Sequence, residues 1–244
     1  DAAALNAQQA FSGWKLTYPN GSYLRVKPGA EIDPYTDCVL TAVWKDIYVV
    51  CIKANDLTVS FGEEIKPEYS VTYSNLPADG SLELRGTVVS CAELGNTDAD
   101  SSPLFPGAYS LSPSSADICK KETGESFDSA DYRIFYTDGQ LTVLPLKLTV
   151  SACAPESSVY DGTVKTADSF TADGLYPGHS VASVKYTGGT LFGAGKVGID
   201  ADSVVVTDAA GNDMSSCYEI TAGAETVFTV SPCSSTVTVK AKSL

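Results

Sequence analysis

A short pattern recurs in this chain at domain-sized intervals, and internal repetition constrains a fold more than any local motif does. Val50-Cys51-Ile52-Lys53-Ala54, Leu148-Thr149-Val150-Ser151-Ala152 and Val237-Thr238-Val239-Lys240-Ala241 each run apolar or alternating, then end in a polar residue and Ala. Such runs read as strands, because alternate residues of a strand face opposite sides of its sheet. Their spacings are 98 and 89 residues. The unit ends match as well. Tyr132-Arg133-Ile134 precedes Gly139 and Leu141-Thr142-Val143-Leu144-Pro145, and Tyr218-Glu219-Ile220 precedes Gly223 and Phe228-Thr229-Val230-Ser231-Pro232. Each reads as strand, glycine turn and closing strand, a hairpin ended by a proline that cannot donate to a ladder.

This places one unit at 47–145, a second at 146–232, and the first strand of a truncated third at 233–244. Residues 1–46 are different. They hold Phe11-Ser12-Gly13-Trp14, a turn at Pro19-Asn20-Gly21, and strand-like Tyr23–Val26 and Leu40–Trp44. About 46 residues make a poor independent core, so this piece is expected to lean on the first unit. Its start, residues 2–11, is rich in Ala, Leu and Gln and favours a short helix. Trp14 and Trp44 could stack on sugars, but they resemble framework tryptophans of a repeat family and are expected in the core.

Composition agrees with strands. Hydrophobic residues make up 43%, enough to fill cores, with 13 Tyr, 20 Gly and a single Met. The net charge of −14 excludes the field that a phosphate backbone requires, so nucleic acid is not an expected partner. No run of about 18 apolar residues offers a membrane-spanning helix. The opening Asp1-Ala2-Ala3-Ala4 lacks a signal-peptide layout, so a secreted protein would be represented here by an excerpt or a processed form. The seven cysteines are odd in number and widely spaced, without a CxxC pair, and Cys51 lies inside an apolar run; buried thiols are favoured over disulfides.

Chemistry-bearing motifs are weak. Gly193-Ala194-Gly195-Lys196-Val197-Gly198 satisfies GxGxxG, but the β-branched run after it argues against the helix that a dinucleotide needs. A turn within a β domain is the expectation. His179 follows Gly178 in an expected loop, with no nucleophile or orienting carboxylate singled out, and is expected exposed. Two acidic clusters offer hard oxygen ligands for calcium: Asp98 and Asp100 near Asn96, and Asp200, Asp202, Asp208 and Asp213 near Asn212. Neither fits an EF-hand loop, and solvated turn carboxylates are favoured. No catalytic residue, cofactor site or firm metal site emerges.

The residues resemble modules of bacterial surface proteins. Ser60-Phe61-Gly62-Glu63, Asn75-Leu76 with Asp79-Gly80, and Tyr132 through Val143 resemble the MBG repeat domain. Val159-Tyr160-Asp161-Gly162-Thr163, Gly188 through Phe192, Gly195 through Gly198 and Tyr218-Glu219-Ile220 resemble the related YDG domain. Residues 11–44 resemble the tail of a Listeria–Bacteroides (internalin B-type) repeat, so residues 1–46 read as a partial repeat of that type. The stretch Cys91–Ala130 departs from the family pattern as an insertion-like region. The resemblance implies an all-β chain of tandem β-sandwich, Ig-like or β-grasp-like modules in an elongated array. It implies a non-catalytic structural or adhesive stalk, monomeric and extracellular, on a bacterial cell surface or wall. The partner would be a host or neighbouring-cell surface protein or a glycan; a carbohydrate- or host-protein-binding module is the alternative.

Overall fold

In a computed structural model, which describes residues 9–32, 37–74, 81–94, 103–128, 131–156, 158–234 and 238–239, the chain is nearly all β. Between the described strands lie turns and two three-residue 3-10 segments, Ala92–Leu94 and Ser215–Cys217. The chain divides into two compact units. One takes Asp1–Thr58, Ile65–Ser101 and Ala108–Thr142; the other takes Val59–Glu64, Ser102–Gly107 and Val143–Leu244.

The first unit begins with a three-stranded antiparallel sheet. Strand β1 (Gln9–Thr17) lies between β2 (Tyr23–Val26) and β3 (Val39–Asp46). Residues 9–11, expected at the end of a helix, are strand instead. Cross-strand pairing of Gln9, Ala10 and Phe11 with Asp46, Lys45 and Trp44 overrides their helix propensity; residues 2–8 lie outside the described residues. The register slips between Phe11 and Gly13. Gly13 sits at φ 137°, where a Cβ would stand 2.3 Å from the Val26 carbonyl oxygen, so only glycine fits the bulge. Lys45 of β3 pairs with Asp131, which ties this sheet to the rest of its unit.

Next comes β4 (Tyr48–Ala54), flanked by antiparallel β6 (Tyr69–Ser74) and parallel β11 (Tyr132–Thr137). Val50 and Ile52 are fully buried against Ile118, within a shell that includes Val71, Leu82, Leu84, Phe127 and Ile134. Burial of side chains of this size is worth roughly 1.5–3 kcal/mol each. Ile118 belongs to β10 (Asp117–Lys120), which pairs antiparallel with β7 (Leu82–Arg85). A four-stranded sheet runs in the order β5 (Leu57–Ser60), β12 (Gly139–Leu144), β9 (Gly107–Ser114), β8 (Val88–Ser90). The stretch read as an insertion, Cys91–Ala130, therefore supplies β9, an internal strand of a sheet, and β10.

In the second unit β13 (Leu146–Ala152) lies between antiparallel β14 (Phe170–Asp173) and parallel β17 (Tyr218–Ala222). The long β16 (Gly193–Thr207) lies between β15 (Ser180–Gly188) and β18 (Thr226–Val230) and packs on β13 and β17. Leu148, Val150, Val197 and Val206 are fully buried. The Gly193–Gly198 string, expected as a turn, lies wholly inside β16. Gly195 is needed there because a Cβ would meet the Thr190 side chain at 2.5 Å.

One pairing scheme thus occurs twice. β4 and β13 each sit at the centre of three strands, antiparallel to the next strand of their sheet and parallel to a late one. Tyr132 and Tyr218 open the two late strands and stand opposite Tyr48 and Leu146. At the ends of the closing strands, the Phe61 amide donates to the Leu144 carbonyl (2.8 Å) and the Tyr160 amide to the Ser231 carbonyl (2.9 Å), each acceptor just before a proline. The hairpins expected at Gly139 and Gly223 do not form. β11 and β17 already pair with β4 and β13, so the chain leaves for a different sheet at each glycine. Gly139 crosses so near β4 that a Cβ would sit 2.4 Å from the Ala54 carbonyl oxygen. At Gly223 it would sit 1.9 Å from Ser151 Oγ.

Candidate functional site

Two places gather side chains that could meet a ligand. The first is one face of the N-terminal sheet. Alternation along β1 puts Trp14 and Leu16 on one face and Lys15 and Thr17 on the other. The register sets Val26 and Ala42 beside Trp14, Leu24 and Leu40 beside Leu16, and Trp44 opposite Phe11. The Phe11 ring bridges both tryptophans, with centroids 5.1 Å from Trp14 and 5.8 Å from Trp44, both edge-on. Leu16 is buried, but Trp14 is 38% and Trp44 57% exposed, and Leu24 and Leu40 are exposed beside them. The expectation that both tryptophans are core is overturned: their face carries apolar side chains that nothing else among the described residues buries to the same degree as Leu16. On the other face the Lys15 ammonium lies 4.5 Å from the Tyr23 ring centroid. An exposed aromatic stripe of this kind can stack on the apolar face of a sugar or take an apolar peptide side chain.

The second place is a cup of about 350 Å³ in the second unit, lined by Phe61, Pro103, Phe105, Tyr176, His179, Asp208, Asn212, Asp213 and Met214. Phe61, 2% exposed, is its floor. Around it stand Tyr176 (5.3 Å between centroids), His179 (6.0 Å) and Phe105 (6.4 Å). Gly62, at φ 82°, makes the Tyr176 contact feasible, because a Cβ there would lie 2.2 Å from that ring. The Tyr218 hydroxyl accepts the Tyr176 amide at 3.0 Å and lies 2.7 Å from His179 Nδ1. Burial holds the Tyr218 phenol above its ordinary pKa. His179, expected as an exposed loop residue, is half-buried among aromatic rings, with a tyrosine as its hydrogen-bond partner.

The acidic rim is the loop after β16. Asp208 accepts from the amides of Ala210 (2.9 Å) and Asn212 (2.8 Å) and from Asn212 Nδ2 (2.8 Å). Those donors, Asn212 foremost, hold its carboxyl below the usual range. Asp213 accepts the Ser215 amide at 2.9 Å and is lowered by that residue. Of the four calcium candidates, Asp200 and Asp202 lie within β16 and Asp208 and Asp213 in the loop beyond it. Among the described residues no three His, Cys, Asp or Glu side chains gather as metal ligands. Asp98 and Asp100 lie outside the described residues, as do Asn75-Leu76, Asp79-Gly80 and most of the third repeat strand. Cys91, Cys119 and Cys217 are buried thiols, and burial raises the Cys91 and Cys217 pKa values.

Sequence reasoning missed Phe105, Tyr176 and Met214. They come from separated stretches, and the only local signal was the glycine after Phe61. No protein-family model matches the chain, and a search of curated proteins finds no match either.

Proposed function

We propose that this chain is a non-catalytic structural and adhesive segment of a secreted or wall-attached bacterial surface protein, built from β modules in tandem and working as a monomer outside the cell. The observation that carries the reading is the pairing scheme shared by 47–145 and 146–232, down to the hydrogen bond before each closing proline. Reuse of one scheme along a chain is the mark of repeat architectures, whose task is to span and present. The resemblance to MBG and YDG modules supports the surface placement. Pulling the whole chain by its ends tests the reading. Two separate rupture events are expected as the chain extends at roughly 3.3 Å per residue. One cooperative rupture of the entire chain would sink it.

A second reading, a carbohydrate- or host-protein-binding module, is favoured by the exposure of Trp14 and Trp44 on one apolar face. Binding to a glycan array and to immobilised matrix proteins, compared between the parent and Trp44→Ala, decides it. Loss of a parent signal in the variant supports this reading, and an unchanged signal removes it.

A further inference from the structure

We infer that the cup formed by Phe61, Phe105 and Tyr176 beside Asp208 and Asp213 is a binding site for an organic ammonium group, either a methylated ammonium head or a lysine side chain. The inference stands apart from the stalk reading and from the tryptophan face.

Size comes first. About 350 Å³ lies at the small end of ligand pockets, which suits a head group better than a large molecule. Aromatic faces attract cations within about 6 Å of the ring centroid through the ring quadrupole. Here a half-exposed Phe105 and the Tyr176 ring flank the buried Phe61. Gly62 makes room for the tyrosine, so the wall is set by the backbone. Two carboxylates and no Lys or Arg line the cup, in a chain of net charge −14, so an anion is repelled.

A hard metal ion fits less well. Calcium takes six to eight oxygen ligands, whereas the oxygens of Asp208 already accept three N–H donors and Asp213 accepts another. An organic cation needs no inner-sphere oxygen. It gains from the ring faces and from the field of carboxylates that stay ionised while they hold their loop.

Met214 lines the cup and is the single methionine of the chain, so one ¹³C-methyl resonance reports on the site. The experiment titrates the intact protein with four probes: tetramethylammonium chloride, Nα-acetyl-lysine N-methylamide, the uncharged isostere 3,3-dimethyl-1-butanol, and calcium chloride. At least one ammonium probe should shift the methyl signal saturably, with the butanol at least tenfold weaker. The ammonium that binds tells a small-molecule head from a lysine side chain. Phe105→Ala and Asp213→Asn, both at exposed positions, should each weaken binding about three- to fivefold without altering the circular dichroism spectrum. The inference is overturned by any of four results: no saturable shift with either ammonium, equal binding of the butanol, calcium saturating the shift and blocking both ammonium probes, or variants that bind as the parent does.

Discussion

The N-terminal sheet and the paired sheets of the second unit start from similar alternating strands and end differently. In the second unit β16 lies across β13 and β17, and Leu148, Val150, Val197 and Val206 lose all contact with water. In the N-terminal sheet the apolar face buries Leu16 but leaves Trp14, Leu24, Leu40 and Trp44 exposed. Alternation decides which side chains share a face. Whether that face becomes a core or a contact surface depends on a covering element from elsewhere in the chain.

The contrast can be broken most directly by truncation. Leu148→Ala should cost about 3 kcal/mol in a denaturant melt, the usual loss for a buried leucine; a cost below about 1 kcal/mol would show that the second unit lacks the tight core described. Gly174→Ala should cost about 2 kcal/mol, since φ is 99° and a Cβ would stand 2.1 Å from the Lys147 carbonyl oxygen. Gly13→Ala should cost a similar amount in the N-terminal sheet, and a negligible loss there would mean that its bulge can relax. Tyr218→Phe removes the hydroxyl that serves the Tyr176 amide and His179, and about 1 kcal/mol should go with it in the same assay.

Acid separates the regions by a different route. Asp161, lowered first of all by Lys165, and Asp117, lowered first by Ser126, join Asp208 and Asp213 as depressed carboxylates. A carboxyl depressed in the folded state contributes stability above its unfolded pKa, near 4, and that contribution is lost as pH falls through the folded value. All four lie outside the N-terminal sheet, which holds both tryptophans. Circular dichroism should therefore decay below about pH 4 before tryptophan emission shifts. Coincident transitions would show that the regions unfold together. Trp44→Ala should have the smallest effect, under about 1 kcal/mol, because over half of its surface is already in water; a larger loss would mean that the tryptophan holds the sheet together.

Much of the fold was legible in the sequence. Apolar alternation gave the strands, and the repeated Val50–Ala54 and Leu148–Ala152 runs mark the two central strands. The glycines at 139 and 223 were legible as breaks but not as crossings, because a hairpin and a change of sheet differ only in where the partner strand comes from. The Gly193–Gly198 string has turn composition, yet β18 and a close Thr190 make it strand. The cup was least legible. Phe61, Phe105 and Tyr176 converge through tertiary packing, and His179 carries no local sign that Tyr218 will be its neighbour.

The parallel pairing of β4 with β11 and of β13 with β17 also dictates an order of events. Tyr48 meets Tyr132, and Leu146 meets Tyr218, so each leading strand waits for about 84 and 72 further residues to be made before its late neighbour exists. Contacts so far apart in sequence fold slowly. A nascent chain stalled midway would carry an apolar strand edge with open backbone groups, a template for joining the wrong strand. Completion of each late partner strand, more than the strength of any single bond, governs how safely this chain reaches its folded form.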